Sequence, residues 1–464
     1  MGEPNHALRA ARERTGSGRA PGEPLSRVEL AEQVNAWLWG TTGRRYDLDH
    51  HLIGKWERGV VARPIDPYRA ALKAVLGADR DADLGFGDVV RRTGGTSDNA
   101  AGPWRRSSIV ADVGEAARQD VMTRRNTVHE AAAPGGAGLL APLAGWLEPL
   151  VDSATSRSSL RRGGFAAPEV IALEHLTAEF RQWRSTGAAL GRSAVVGQLA
   201  DVVDRLRDAP TGPLTDRVLL VAAELSRTAG SMSYDDGLQS TAQRHYLGAV
   251  QLAKAGGHDD FGGFGLAALS RLLLDAGRAA DALEVVAIAQ RGTRRTGTPG
   301  LRSMLATRQA WGHAQRGESY AFDDAETAHA DIAPAVEPHW LHSFDRAELH
   351  GTIGARYRDL AQHDERQARH AVTYLGRALV ERDPARTRNR AFDLVSLARV
   401  HLLTGEHDRA ADTVRGALPL LDPARPGRLA RKLADWHREA TPHSAAATVR
   451  AAREEISTLL PRSA

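Results

Sequence analysis

Apolar residues recur at helical spacing through most of the chain, and the breaks fall on glycine, proline and short polar clusters. Near the N-terminus, Leu30, Ala31 and Val34 make one apolar stripe; Leu48, Ile53 and Trp56 make another. The first follows Ser26, with Glu29 three residues on, the pairing of a capping box at a helix start. The second follows Asp49, whose carboxylate can accept from the free N–H groups of a first turn. It ends at Gly59, since glycine terminates helices at little cost. His50, His51, Lys55 and Arg58 fall on other faces, so the stretch DLDHHLIGKWERG (47–59) is predicted to be a helix pinned on one side and donor-rich on the other. Tyr68, Leu72 and Val75 carry one more apolar face, from the capping Asp66 and first-turn Pro67 to Gly77.

From Gly85 to about Pro103 the chain turns to Gly, Thr, Ser, Asp and Asn, a linker by composition. Helical fragments follow between Trp104 and Gly164, interrupted by the glycine-rich 133–138. Helical periodicity then persists from Pro168 to the C-terminus and repeats. Gly237, Ala242 and Ala249 are matched by Gly277, Ala282, Ala289 and by Gly405, Ala410, Ala417. Ala371 and Ala378 keep the alanine spacing, and Gly317 stands 40 residues after Gly277. Glycine suits the turn of a helical hairpin and small alanines let helices approach closely. Such units must stack to bury their faces.

Composition narrows the reading. With 464 residues the chain should hold at least two units. It has no cysteine, which excludes disulfides, thiolate zinc sites and cysteine nucleophiles, and suits a reducing cytoplasm. The net charge of +4 is too small for a generally nucleic-acid-coating protein, so any DNA contact must come from a local patch. The N-terminal MGEPNHALRAARERTG has no apolar signal core, and the apolar run 139–151 is too short to span a bilayer. Few aromatics and abundant Ala, Leu and Arg favour an all-α protein.

The segments LSRVELAEQV and LIGKWERG resemble the Cro/repressor (XRE) helix-turn-helix family over roughly residues 6–77. That resemblance implies that His50, His51 and Lys55 read base edges of a double-stranded operator, and that Arg27 and Arg58 touch phosphate. It further implies that Arg12 pairs with Glu57. The chain departs from the family pattern in two insertions, 17–24 and 36–47. The second ends in Arg44-Arg45-Tyr46 and could be a further backbone-contacting loop. With Arg63, these arginines complete the candidate DNA-binding set.

The repeats resemble tetratricopeptide (TPR) repeats, though their 40-residue spacing exceeds the usual period of about 34. The expected order is a helix-turn-helix domain (1–84), a linker with helical segments (85–167) and a TPR-like α-solenoid (168–464). This order resembles a regulator family of high-GC bacteria. It implies a cytoplasmic, homodimeric transcription regulator whose solenoid groove senses a peptide, a small molecule or a partner protein. The alternative is an interaction scaffold whose helix-turn-helix docks to protein. No P-loop, dinucleotide fingerprint, HExxH or GxSxG occurs, and the paired His339 and His342 lack a carboxylate-rich ligand set. No enzyme activity, cofactor or metal is expected.

Overall fold

The computed structural model describes residues 4–20, 22–42, 48–59, 64, 66–78, 81–86, 104–123, 136–150, 164–186, 191–318, 322–333, 335, 337–421 and 427–460. Among these the regular structure is helical, apart from one isolated antiparallel bridge between Gly16 and Pro24. None of the described helices is long and apolar enough to cross a membrane. The chain divides into two compact units, Met1–Asp98 and Asn99–Ala464.

The first unit comprises α1 (His6–Arg14), α2 (Arg27–Thr42), α3 (His50–Glu57), α4 (Asp66–Leu76) and a 3-10 turn, Asp81–Leu84. The capping box forms: Glu29 N donates to Ser26 Oγ and Ser26 N to Glu29 Oε2, each at 3.1 Å. The second carboxylate oxygen of Glu29 accepts from the Ser17 hydroxyl at 2.6 Å and from Arg19 N at 3.2 Å. These bonds, that from Ser17 foremost, hold the carboxyl down at about 2. They also fold the inserted loop 17–24 back on the helix it precedes. Its base is closed by Leu25 N donating to Thr15 O at 2.8 Å and Ser17 N to Glu23 O at 2.9 Å.

The second insertion differs from expectation. Instead of a longer turn, α2 runs on as helix through Thr42, because Leu38 reaches the core and is 1% exposed. The Asn35 side chain then holds the returning chain. Its Oδ1 accepts from Leu48 N at 3.0 Å and its Nδ2 donates to Leu48 O at 2.9 Å. Arg44, Arg45 and Arg63 lie outside the described residues. Leu8, Leu30, Val34, Ile53, Trp56 and Leu72 form the core, with Trp56 against Tyr68 at 5.6 Å between ring centroids.

The second unit starts earlier than the repeats suggest. It comprises α5 (Arg106–Thr123), α6 (Ala137–Leu147), α7 (Ala167–Thr186), α8 (Arg192–Leu206), α9 (Pro213–Asp235), α10 (Gln239–Ala255), α11 (Asp259–Asp275) and α12 (Ala279–Gly292). Then come α13 (Pro299–Gln315), α14 (Asp323–Ala330), α15 (Arg346–Ala361), α16 (Gln367–Glu381), α17 (Thr387–Leu403), α18 (His407–Arg415), α19 (Gly427–Glu439) and α20 (Ala447–Leu459). The expected linker 85–167 therefore carries two helices of this unit: α5 packs on α8 and α10, and α6 on α12. Trp104, Ile109, Val113 and Trp146 are buried in its core. A buried polar lock reinforces α5. Asp120 accepts from Arg192 and lies 2.8 Å from His245 Nε2.

Gly237, Gly277, Gly317 and Gly405 close the turns after α9, α11, α13 and α17, each with φ between 71 and 85°. In every case the next residue's N–H reaches back to a helix carbonyl, as Leu238 N does to Ser233 O at 2.8 Å. The strain a side chain would meet at positive φ explains the glycines. The paired alanines of α10, α12 and α16, with Ala410 of α18 and Ala417 just after it, are all 0% exposed, so the small residues form the seams where helices meet. Helices α9, α11, α13, α15, α17 and α19 contact one another in succession as an inner row. The row curls until α17 touches α7 and α19 touches α9.

Candidate functional site

On α3 the Asp49 carboxylate accepts from Leu52 N at 2.7 Å and the helix is closed by Gly59 at φ 70°. Leu48, Ile53 and Trp56 are buried at 4%, 0% and 2% exposure, while His50, His51, Lys55 and Arg58 are exposed. The two histidine rings lie 3.9 Å apart between centroids. One side of the helix is thus fixed and the other presents donors to solvent. The cations at its two flanks are not equivalent. Arg27, expected at phosphate, donates through Nε to Glu57 Oε2 at 2.7 Å while remaining partly exposed. Arg12 takes the other oxygen, Oε1, at 2.7 Å and also donates to Leu25 O at 2.8 Å.

The second unit holds a different kind of site. Its inner helices surround a cavity of about 510 Å³ lined, among the described residues, by ten arginines and Lys432 but only three carboxylates, Asp275, Glu348 and Asp393. Some of these cations are neutralised. Arg382 donates to Asp393 at 2.7 Å and to Glu348 at 2.9 Å. Arg388 pairs with Asp235, and Lys432 lies 3.5 Å from Asp275. With Arg431 Nη2 donating to Tyr234 O at 3.2 Å, these links tie α17 and α19 to α9 and α11 across the closure. The expected open groove is therefore a bridged cavity.

Three cavity arginines have no acidic partner among the described residues: Arg271, Arg308 and Arg428. Arg428 lies over the Phe392 ring at 4.0 Å, and Arg356, paired with Asp359 at 3.0 Å, lies over Trp311 at 3.5 Å. Burial, then repulsion from neighbouring guanidiniums, pushes Arg271 and Arg308 down to about 9; burial pushes Arg356 down to about 10. All remain cationic at neutral pH. Burial, together with the charge of Glu348, pushes Asp393 up to about 7 despite Arg382. Glu348 itself is held at about 2, since Arg382 and Arg271 outweigh its desolvation.

None of the cavity arginines was singled out by motif; of the residues named from the sequence, His339 lies in the lining. A signal is present all the same: Arg227, Arg271 and Arg308 stand ten, six and nine residues before the turn glycines Gly237, Gly277 and Gly317. Counted from Arg271, the offsets of Arg227 and Arg308 differ by four and three, which places each near the face Arg271 occupies on its own helix. The histidines of the 339–342 pair diverge, His339 to Glu224 Oε1 at 3.0 Å and His342 to Glu337 O at 3.1 Å. Among the described residues no three His, Cys, Asp or Glu side chains are grouped to hold a metal. Compared with known proteins, the chain matches no family model, no curated protein and no solved structure.

Proposed function

We propose that the chain is a DNA-binding transcription regulator, with an XRE-type helix-turn-helix in its first unit and a TPR-like sensor in its second. The observation that carries this reading is α3. The helix is capped by Asp49, pinned by Ile53 and Trp56, and turns His50, His51 and Lys55 outward from a single short surface. Donors on an exposed helix face suit the major groove, where each base pair offers its own acceptor pattern. Arg58 beside that face, and the exposed part of Arg27, supply phosphate contacts. One such helix reads few base pairs, so the reading includes a homodimer on two half-sites.

Genome-wide mapping of bound DNA, followed by scoring the enriched sites for a shared inverted repeat, tests the proposal. A discrete repeated site supports it. Binding without sequence preference, or none at physiological salt, instead favours a scaffold whose first unit docks to protein.

A further inference from the structure

We infer that the cavity of the second unit binds a small molecule carrying a cluster of two or more phosphate groups. The inference deepens the proposed sensor role by naming the chemical class of its ligand, and it rests on that reading only for its regulatory meaning.

The first ground is the polarity of what is left unsatisfied. Arg308 Nε, Arg356 Nε, Arg428 Nε and Trp311 Nε1 are buried donors with no acceptor among the described residues, and the Tyr234 hydroxyl is likewise unpartnered among them. Their residues are 5%, 6%, 9%, 7% and 4% exposed, and all five line the one cavity. Buried polar atoms in a folded protein are nearly always bonded, so a group of orphaned donors marks a place for acceptors.

The second ground is charge. Arg382, buried in the same cavity, is matched by Glu348 and Asp393, which shows how this fold neutralises a buried arginine when it needs to. Arg271, Arg308 and Arg428 are left unmatched among the described residues. Arg428 presses on Arg271, and Arg271 on Arg308. A buried cation held this way is destabilising unless an anion completes it. The aromatic faces of Trp311 and Phe392 carry Arg356 and Arg428 and leave the planar N–H forks available at their edges.

The third ground is capacity. Arg271, Arg308, Arg356 and Arg428 come from α11, α13, α15 and α19, so the donors converge from several directions. A single flat carboxylate offers about four acceptor sites, too few for several guanidinium forks, whereas clustered phosphates suit them. The volume of about 510 Å³ is that of a site for a nucleotide-sized molecule.

The test uses the full chain without DNA, titrated calorimetrically with inorganic tripolyphosphate, adenosine triphosphate, citrate and a glutamate-rich peptide. Saturable one-to-one binding of tripolyphosphate, with a raised melting temperature, is expected. Tighter binding of the nucleotide would mark the phosphates as nucleoside-borne; equal binding would mark the phosphate cluster as sufficient. Arg308→Gln and Arg271→Gln should each weaken binding by about tenfold or more, as loss of a charged hydrogen bond does. Arg308→Gln should also raise the melting temperature of the unliganded chain, because a buried charge without an ion-pair partner is removed. A structural role for Arg308 would lower it.

Lys55→Ala should leave tripolyphosphate binding unchanged, so the DNA reading and the ligand assignment can fail separately. Absence of saturable binding by both phosphate probes, or binding indifferent to both arginine variants, would overturn the assignment. So would citrate or the peptide binding more tightly than either phosphate.

Discussion

Glu57 gives one carboxylate oxygen to Arg12, at 2.7 Å, and the other to Arg27, also at 2.7 Å, with its own side chain 2% exposed. The end of α3 is therefore fixed to the end of α1 and the start of α2 through one buried anion. Its removal takes the carboxylate from the buried Arg12 and from the partly exposed Arg27 together, whereas removal of Arg12 leaves Glu57 with Arg27. Glu57→Ala should destabilise the first unit by about 3–5 kcal/mol, and Arg12→Ala by clearly less. Amide exchange in α1 and α3 measures both, and equal costs would show that Arg27 contributes nothing.

The same geometry separates the cations proposed to face DNA. Lys55→Ala should cost about 1–3 kcal/mol of operator affinity, concentrated at one base-pair position, with no change in folding. Arg58→Ala should weaken all sequences alike and reduce the salt slope by about one. Arg27→Ala should lower affinity and stability together, because Arg27 serves Glu57 as well. Operator titrations across salt, paired with melting curves, distinguish the three.

A fragment ending at residue 84 should be monomeric and bind the operator far more weakly than the full chain, since two half-sites require a dimer. Ultracentrifugation with parallel titrations checks this. Equal affinity would show that the second unit does not assemble the pair.

Trp146 of α6 lies where a Cβ on Gly292 would stand 2.1 Å from its ring and one on Gly262 2.7 Å. Gly292→Ala gains about 1 kcal/mol of helix propensity but forces the indole out, at a cost of about 1–3 kcal/mol or more. Net destabilisation is expected, and calorimetric unfolding decides the sign.

Asp393 gives the second unit a stability that falls with rising pH. Its folded value of about 7 lies above that of an unfolded carboxyl, so the folded state keeps a proton the unfolded chain has lost. Stability from this group is full below the unfolded value near 4 and is lost as pH rises to about 7, at up to about 1.4 kcal/mol per unit. Glu348, held at about 2, acts oppositely and loses its contribution as pH falls from about 4.5. Asp393→Asn should flatten the profile between pH 4 and 7 while leaving the acid limb intact. Denaturant midpoints across pH measure it. An unchanged slope in that window would place the titration elsewhere.

What was legible in the sequence is what the backbone dictates locally. The turn glycines are readable because positive φ demands them, and the capping pairs because their bonds span three residues. The alanine seams show because each recurs with its turn. The continuation of α2 was hidden behind Gly40, Thr41 and Thr42, poor helix formers overridden by the burial of Leu38 and the hold of Asn35 on Leu48. α5 and α6 looked like linker because their partners lie far along the chain, as Asp120 and His245 do at 125 residues' separation. The cavity was hidden for the same reason: its arginines become a site only when the inner row curls.

That curl changes how the chain can fold. A linear stack of hairpins grows by neighbour contacts and tolerates loss of units from its end. Here Arg431 of α19 meets Tyr234 of α9 across 197 residues, so the ring can close only after the intervening hairpins have formed. Closure over such a span is entropically slow, and its contacts reward the chain last. Synthesis from the N-terminus therefore leaves a folded but open arc until α19 emerges, with the arginine-lined interior exposed to any acidic chain nearby. The C-terminal helices act as a clasp, and the newly made protein is most vulnerable to wrong partners in the interval before that clasp shuts.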